Sequence, residues 1–150
     1  MSEIDGLQGK SILVVEDEYF LAADTARSLE DAGAHVLGPC ADKDEALRIL
    51  AEDPPSAALL DINLGDGADF AVAEALATRG IPFVFMTGYD LELIPPQFAT
   101  IPRLQKPTRL RQIVDAFEKI FLSAAGPHSR SPAMPPFLRQ RQKPSGARNS

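Results

Sequence analysis

Short apolar runs ending on polar residues alternate along this chain with stretches of helical periodicity. Ser11–Val15 (SILVV) runs into Glu16-Asp17-Glu18, and Ala57–Leu60 runs into Asp61. Pro82–Met86 (PFVFM) runs into Thr87, and a poorer run, Ile101–Leu104, precedes Lys106-Pro107. His35–Cys40 (HVLGPC) is a weaker segment of the same kind. A continuous apolar run bounded by turn residues reads as a strand buried on both faces. Between the runs, Leu21, Thr25, Leu29 and Ala32 recur at helical spacing with Gly33 as a stop. Asp42 followed by Glu45 resembles a capping box opening a helix through Leu50, which Pro54-Pro55 ends. Phe70, Ala73 and Ala77 share one helical face closed by Gly80, and Thr108 opens a final helix striped by Leu110, Ile113, Val114, Phe117 and Ile120. The fourth connection breaks the pattern. Pro95-Pro96 sits where a helix belongs, so any helix there starts at Pro95 or is short and distorted.

Strands alternating with helices imply right-handed βαβ units and a parallel sheet. The predicted fold is therefore α/β, a doubly wound five-stranded parallel sheet of order 2-1-3-4-5. Residues 1–9 form an extension and 10–122 the domain. Residues 123–150 carry five basic residues, Arg130, Arg139, Arg141, Lys143 and Arg148, no acid, five prolines and five serines. That composition buries too little apolar surface to offset chain entropy, so a disordered tail is expected. Residues 1–122 hold all 21 acids and 10 of the 15 basic residues, a net of −11, which argues against nucleic-acid binding. The single cysteine, Cys40, forms no internal disulfide and reads as a small buried hydrophobe. The first residues lack the pattern of a signal peptide, and no apolar run approaches the roughly 20 residues of a membrane span. The expectation is a cytoplasmic domain.

In an open parallel sheet, ligands sit outside the C-terminal strand ends, where strand order reverses. Glu16 and Asp17, Asp61, Thr87 and Lys106 all follow strand ends. Carboxylates crowded at one edge need a compensating cation. Hard oxygen ligands on a shallow rim suit Mg2+. Lys106 supplies a fixed positive charge and Thr87 a donor, so the set can neutralise a phosphoryl group moving onto Asp61. A carboxylate is a sufficient nucleophile for that transfer.

Taken together, VVEDE, LLDINLGDG, FMTGY and LQKP, each at a strand end and in this order, resemble the response-regulator receiver family (CheY-like) of two-component signalling. The resemblance covers about residues 10–122. It implies Asp61 as phosphoacceptor, and Mg2+ held by Glu16, Asp17, Asp61 and the backbone carbonyl of Asn63. It also implies Thr87 and Lys106 as phosphoryl-stabilising groups, a cis Lys106–Pro107 bond, and Asn63 and Tyr89 as residues that tune loss of the phosphoryl group. FMTGY resembles a Phe-Ala-Thr-Gly-Tyr subclass with Met86 in place of alanine, and Leu104 stands where many receivers carry a switch aromatic. In that subclass partners tend to be histidine kinases of the HWE type, so the expected partner is a sensor histidine kinase, of that type by this resemblance, or a histidine phosphotransferase. The expected protein is a stand-alone, non-enzymatic response regulator, monomer or weak dimer, without nucleic-acid or membrane partners.

Blander readings stand beside these. Glu16-Asp17-Glu18 also suits a helix N-terminus, Lys106 a solvated surface, Thr87 a turn cap, and Tyr89 a core or loop position. His35 and His128 read as non-catalytic, and Gly65-Asp66-Gly67 as a turn. The alternative functions are a pseudo-receiver that binds partners without phosphorylation and a small phosphohydrolase. The latter requires a second aspartate two residues past its nucleophile, where this chain has Asn63.

Overall fold

The computed structural model describes residues 6–62, 70–88 and 94–124. Asn63, Tyr89, His128 and the Gly65–Gly67 turn lie outside them, as does the basic segment beyond 124. The chain divides into units 1–117 and 118–150. The sheet belongs to the first, and the described part of the second is the end of a helix.

The elements are β1 (Ser11–Val15), α1 (Tyr19–Asp31), β2 (His35–Cys40), α2 (Lys43–Glu52), β3 (Ala57–Asp61), α3 (Ala71–Thr78), β4 (Phe83–Thr87), β5 (Arg103–Gln105) and α4 (Leu110–Ala124). All strand pairings are parallel, in the order β2-β1-β3-β4-β5, as the alternation predicted. Every residue of β3 and β4 is buried, which accounts for their continuous apolar runs. Successive side chains point to opposite faces. Leu13, Val15, Leu60, Phe83 and Phe85 join Ala46 and Leu50 of α2 and Val72, Ala73 and Leu76 of α3 in one core. Outside that core, Ile12, Val14, Leu59 and Val84 are buried, as are Leu29 of α1 and Ile113, Val114 and Phe117 of α4.

Local chemistry sets the ends. The Asp42 carboxylate accepts the Glu45 N–H at 2.9 Å and starts α2. Gly33 stops α1 with φ of 104°, and a Cβ there would meet the backbone of Gln8 at 3.0 Å. The final helix begins at Leu110, two residues after the expected Thr108. The Gln112 side chain reaches back to accept the Arg109 N–H at 3.1 Å, as the third residue of a capping box does. The fifth strand is also displaced. Arg103–Gln105 form the ladder, whereas Ile101 packs against the core before the strand begins.

The proline-broken connection is, in its described part, a short 3-10 turn, Pro96–Phe98. Pro95 has no N–H to contribute, and its carbonyl accepts from Phe98 at 2.9 Å. The turn drives Phe98 into the core, where it is 2% exposed. Its ring stacks on Phe70 at 5.9 Å and meets Phe83 and Phe85 edge-on. Four rings thus clamp the entry to α3, β4 and the broken connection together. Phe98→Ala is expected to lower stability by about 3–5 kcal/mol, because the loop-borne cavity cannot collapse without moving β4. Urea unfolding checks it, and a loss below about 1 kcal/mol would show that the ring does not anchor the turn.

Candidate phosphoacceptor and cation site

The sheet register brings the predicted groups level. Val15 pairs with Leu60, so Glu16 and Asp61 leave adjacent strands at the same height. Asp61 pairs with Met86, and Thr87 with Gln105, so Thr87 and Lys106 lie one step beyond. The Lys106 N–H donates to the Thr87 carbonyl at 2.7 Å, tying the lysine's backbone to the end of β4. The Lys106–Pro107 peptide is cis, as expected.

Lys106 reaches inward across this edge. Its Nζ donates to Asp61 Oδ2 at 2.9 Å and stands 3.3 Å from Glu16 Oε1. Asp61 is 4% exposed and Glu16 5%. Glu16 Oε2 also accepts the Glu18 N–H at 3.0 Å, which folds the acidic turn back on the site. Thr87 is buried beside them, and Asp17 is exposed at the rim. Sequence reasoning placed Glu16 only as a cation ligand. Its ion pair with Lys106 was missed because charge pairing across 90 residues leaves no local signal.

Burial pushes the Glu16 carboxyl up from 4.5 to about 7, and the Asp61 charge adds to the rise. Burial pulls Lys106 the other way, but its hydrogen bond to Asp61 and the charges of Asp61 and Glu16 outweigh this, so its pKa is raised. The ammonium therefore stays charged, while the carboxylates around it remain in excess.

A divalent cation fits that excess. Glu16, Asp17 and Asp61 each offer a carboxylate oxygen, and these oxygens lie within 4.8 Å of one another. Octahedral Mg2+ at about 2.1 Å from each ligand needs oxygens about 3 Å apart when adjacent and about 4.2 Å when opposite. The three carboxylates are the hard oxygen donors such an ion takes, gathered at one edge. The backbone carbonyl of Asn63, expected as a further ligand, lies outside the described residues. Beside the cluster, Glu18, Leu21, Met86, Lys106, Pro107 and Thr108 line an open groove.

The raised Glu16 pKa predicts how the metal-free protein responds to pH. The folded chain holds a proton that the unfolded chain releases between pH 4.5 and about 7. Glu16 therefore contributes stability in full below pH 4.5, and loses that contribution as pH rises through about 7. Urea midpoints of wild type and Glu16→Gln across this window are expected to converge differently with pH, the wild type losing more. Parallel profiles would contradict the buried, raised carboxyl.

Residues 12–118 match the family described as the response regulator receiver domain. Among curated proteins, the chain is 36% identical over 92 residues to the phyllosphere-induced regulator PhyR of Methylorubrum extorquens. That match covers 59% of this chain and 33% of PhyR, so the chain spans only a third of that relative's length. It is 31% identical over 121 residues to the response regulator receiver protein CpdR of Brucella abortus, covering 77% of this chain and 99% of CpdR. Among solved structures it is similar to SdrG of Sphingomonas melonis, with a TM-score of 0.60 and 33% identity, covering 77% of this chain and 98% of SdrG. With the sheet order, the acidic edge and the inward lysine, these matches place the chain in the response-regulator receiver family.

Proposed function

We propose that this receiver takes a phosphoryl group onto Asp61 from a phosphohistidine on a histidine kinase or phosphotransferase, and that the changed surface alters partner binding. The observation that carries this reading is the ion pair at 2.9 Å between half-buried Lys106 and buried Asp61, with carboxylate oxygens of Glu16 and Asp17 gathered beside it. In the transfer, a bond forms between an Asp61 carboxylate oxygen and phosphorus as the phosphorus–nitrogen bond breaks. The departing imidazole takes up a proton from solvent. Lys106 is already in place to meet the charge on the phosphoryl oxygens, and the buried Thr87 hydroxyl supplies a neutral donor. Bound by Glu16, Asp17 and Asp61, Mg2+ would offset the negative charge that otherwise repels an incoming phosphoryl group.

The donor must approach the open rim. Tyr19 and Phe20 begin α1 beside the acidic turn, 75% and 76% exposed, with their rings edge to face at 5.2 Å. Large aromatic groups held in water next to a reactive site favour a protein donor over a small molecule. Asn63 and Tyr89, two residues past Asp61 and Thr87, are proposed to tune loss of the phosphoryl group. Among the described residues no helix is long and apolar enough to cross a membrane.

With a small phosphoryl donor and Mg2+, wild type is expected to incorporate one phosphoryl group and Asp61→Asn none. Lys106→Ala is expected to slow uptake about 100-fold, the usual cost of removing one aimed charge stabiliser. Intact-mass kinetics measure both. Uptake unchanged in Asp61→Asn would sink the proposal, and absence of uptake in wild type, even with kinases, would favour a receiver that acts unphosphorylated.

A further inference from the structure

The β1–β2 ladder loses its regular step where Glu16 leaves the sheet. Pairing advances one for one from Ser11↔His35 to Leu13↔Leu37, but Val15 then pairs with Cys40, so β2 carries one extra residue. The His35 N–H donates to the Lys10 carbonyl at 2.8 Å. In a parallel ladder alternate residues donate in turn. Continued at the same step, residue 37 donates to Ile12 and residue 39 to Val14. Residue 39 is proline and has no N–H to give.

The bulge solves this, and Gly38 makes room for it. Gly38 has φ of 92°, and a Cβ there would lie 2.8 Å from the Cys40 amide nitrogen and 3.0 Å from the Val14 carbonyl oxygen. Gly38 and Pro39 are both exposed, so core packing does not account for either residue. The consequence falls on Glu16. Its N–H donates to the Cys40 carbonyl at 2.9 Å, where the unbroken step would have offered the carbonyl of residue 39.

We propose that the Gly38-Pro39 bulge is a positioning device for Glu16. It sets the backbone from which the Glu16 carboxylate meets Lys106 at 3.3 Å, caps the Glu18 N–H at 3.0 Å and joins the oxygens of Asp17 and Asp61. Gly38 and Pro39 touch no reacting atom and act through the Cys40 carbonyl. The functional part of this inference rests on the Mg2+-dependent reading of the site; the geometric part does not.

The test compares full-length wild type with Pro39→Ala, Gly38→Ala and Cys40→Ala. In metal-free protein, NMR reports the Glu16 and Glu18 amide shifts and their hydrogen-exchange protection, and Mg2+ titration then gives the affinity. Pro39→Ala regains the missing N–H at an exposed site, so it is expected to stay folded, shift both amides and weaken Mg2+ binding about tenfold. Gly38→Ala is expected to do the same with a larger loss of stability, and if it does not fold, Pro39→Ala decides. Cys40→Ala removes a buried side chain but keeps the carbonyl, so it should lower stability and leave the Glu16 amide and the Mg2+ affinity unchanged. Unchanged Glu16 and Glu18 amides in Pro39→Ala, or altered amides with wild-type Mg2+ affinity, overturn the inference. If wild type itself does not bind Mg2+, the reading of the site fails, and the metal-free amides alone decide whether the bulge positions Glu16.

Discussion

One interaction organises the molecule: the Lys106 ammonium held 2.9 Å from the buried Asp61 carboxylate. The two residues leave strands separated by β4, so the contact requires β3, β4 and β5 to end in register. A carboxylate only 4% exposed is costly without a cation, and removing one partner of such a pair costs roughly 3–5 kcal/mol. Yet the pair is not self-sufficient. Glu16 and Asp17 add further negative charge that a single lysine does not balance. That excess of acidic groups suits a divalent cation. Site and scaffold therefore oppose each other, and the deeper packing holds the edge in place.

That packing differs at the two ends of the sheet. At the far end, Ser11 and Ser56 exchange hydrogen bonds, each backbone N–H donating to the other's hydroxyl at 3.0 and 3.1 Å, which pins the starts of β1 and β3 together. At the site end, the strands finish in charged or hydroxyl side chains and a bulge. On the α2–α3 face, Phe70, Phe83, Phe85 and Phe98 pack ring against ring in the aromatic clamp. With Leu104 rather than an aromatic in β5, this clamp is the largest aromatic assembly among the described residues.

The fold was legible because doubly buried strands write themselves as continuous apolar runs, and β1, β3 and β4 were read within a residue of their bounds. β5 was misplaced because its residues, Arg103, Leu104 and Gln105, are exposed or half-buried at the sheet edge and carry no apolar signature. The start of α4 was misread because Thr108 is a better cap by type than Arg109, while Gln112 selects the latter by bonding its N–H. Asp61, Thr87, Lys106 and Glu16 were found because strand ends converge in this topology whatever their sequence separation. Contacts between them were not legible, since the reach of Lys106 to two carboxylates depends on rotamers. Nor was the bulge, although its cause, a proline where the ladder needs a donor, stood in the sequence.

The phosphoryl group is proposed to arrive on the Asp61 carboxylate. Borohydride reduction converts an aspartyl phosphate to homoserine, which peptide mass spectrometry locates to a residue. After incubation with a small phosphoryl donor and Mg2+, homoserine is expected at position 61 and nowhere else. Homoserine at Asp17 or another acid, or none in a protein that has taken up phosphate, would contradict it.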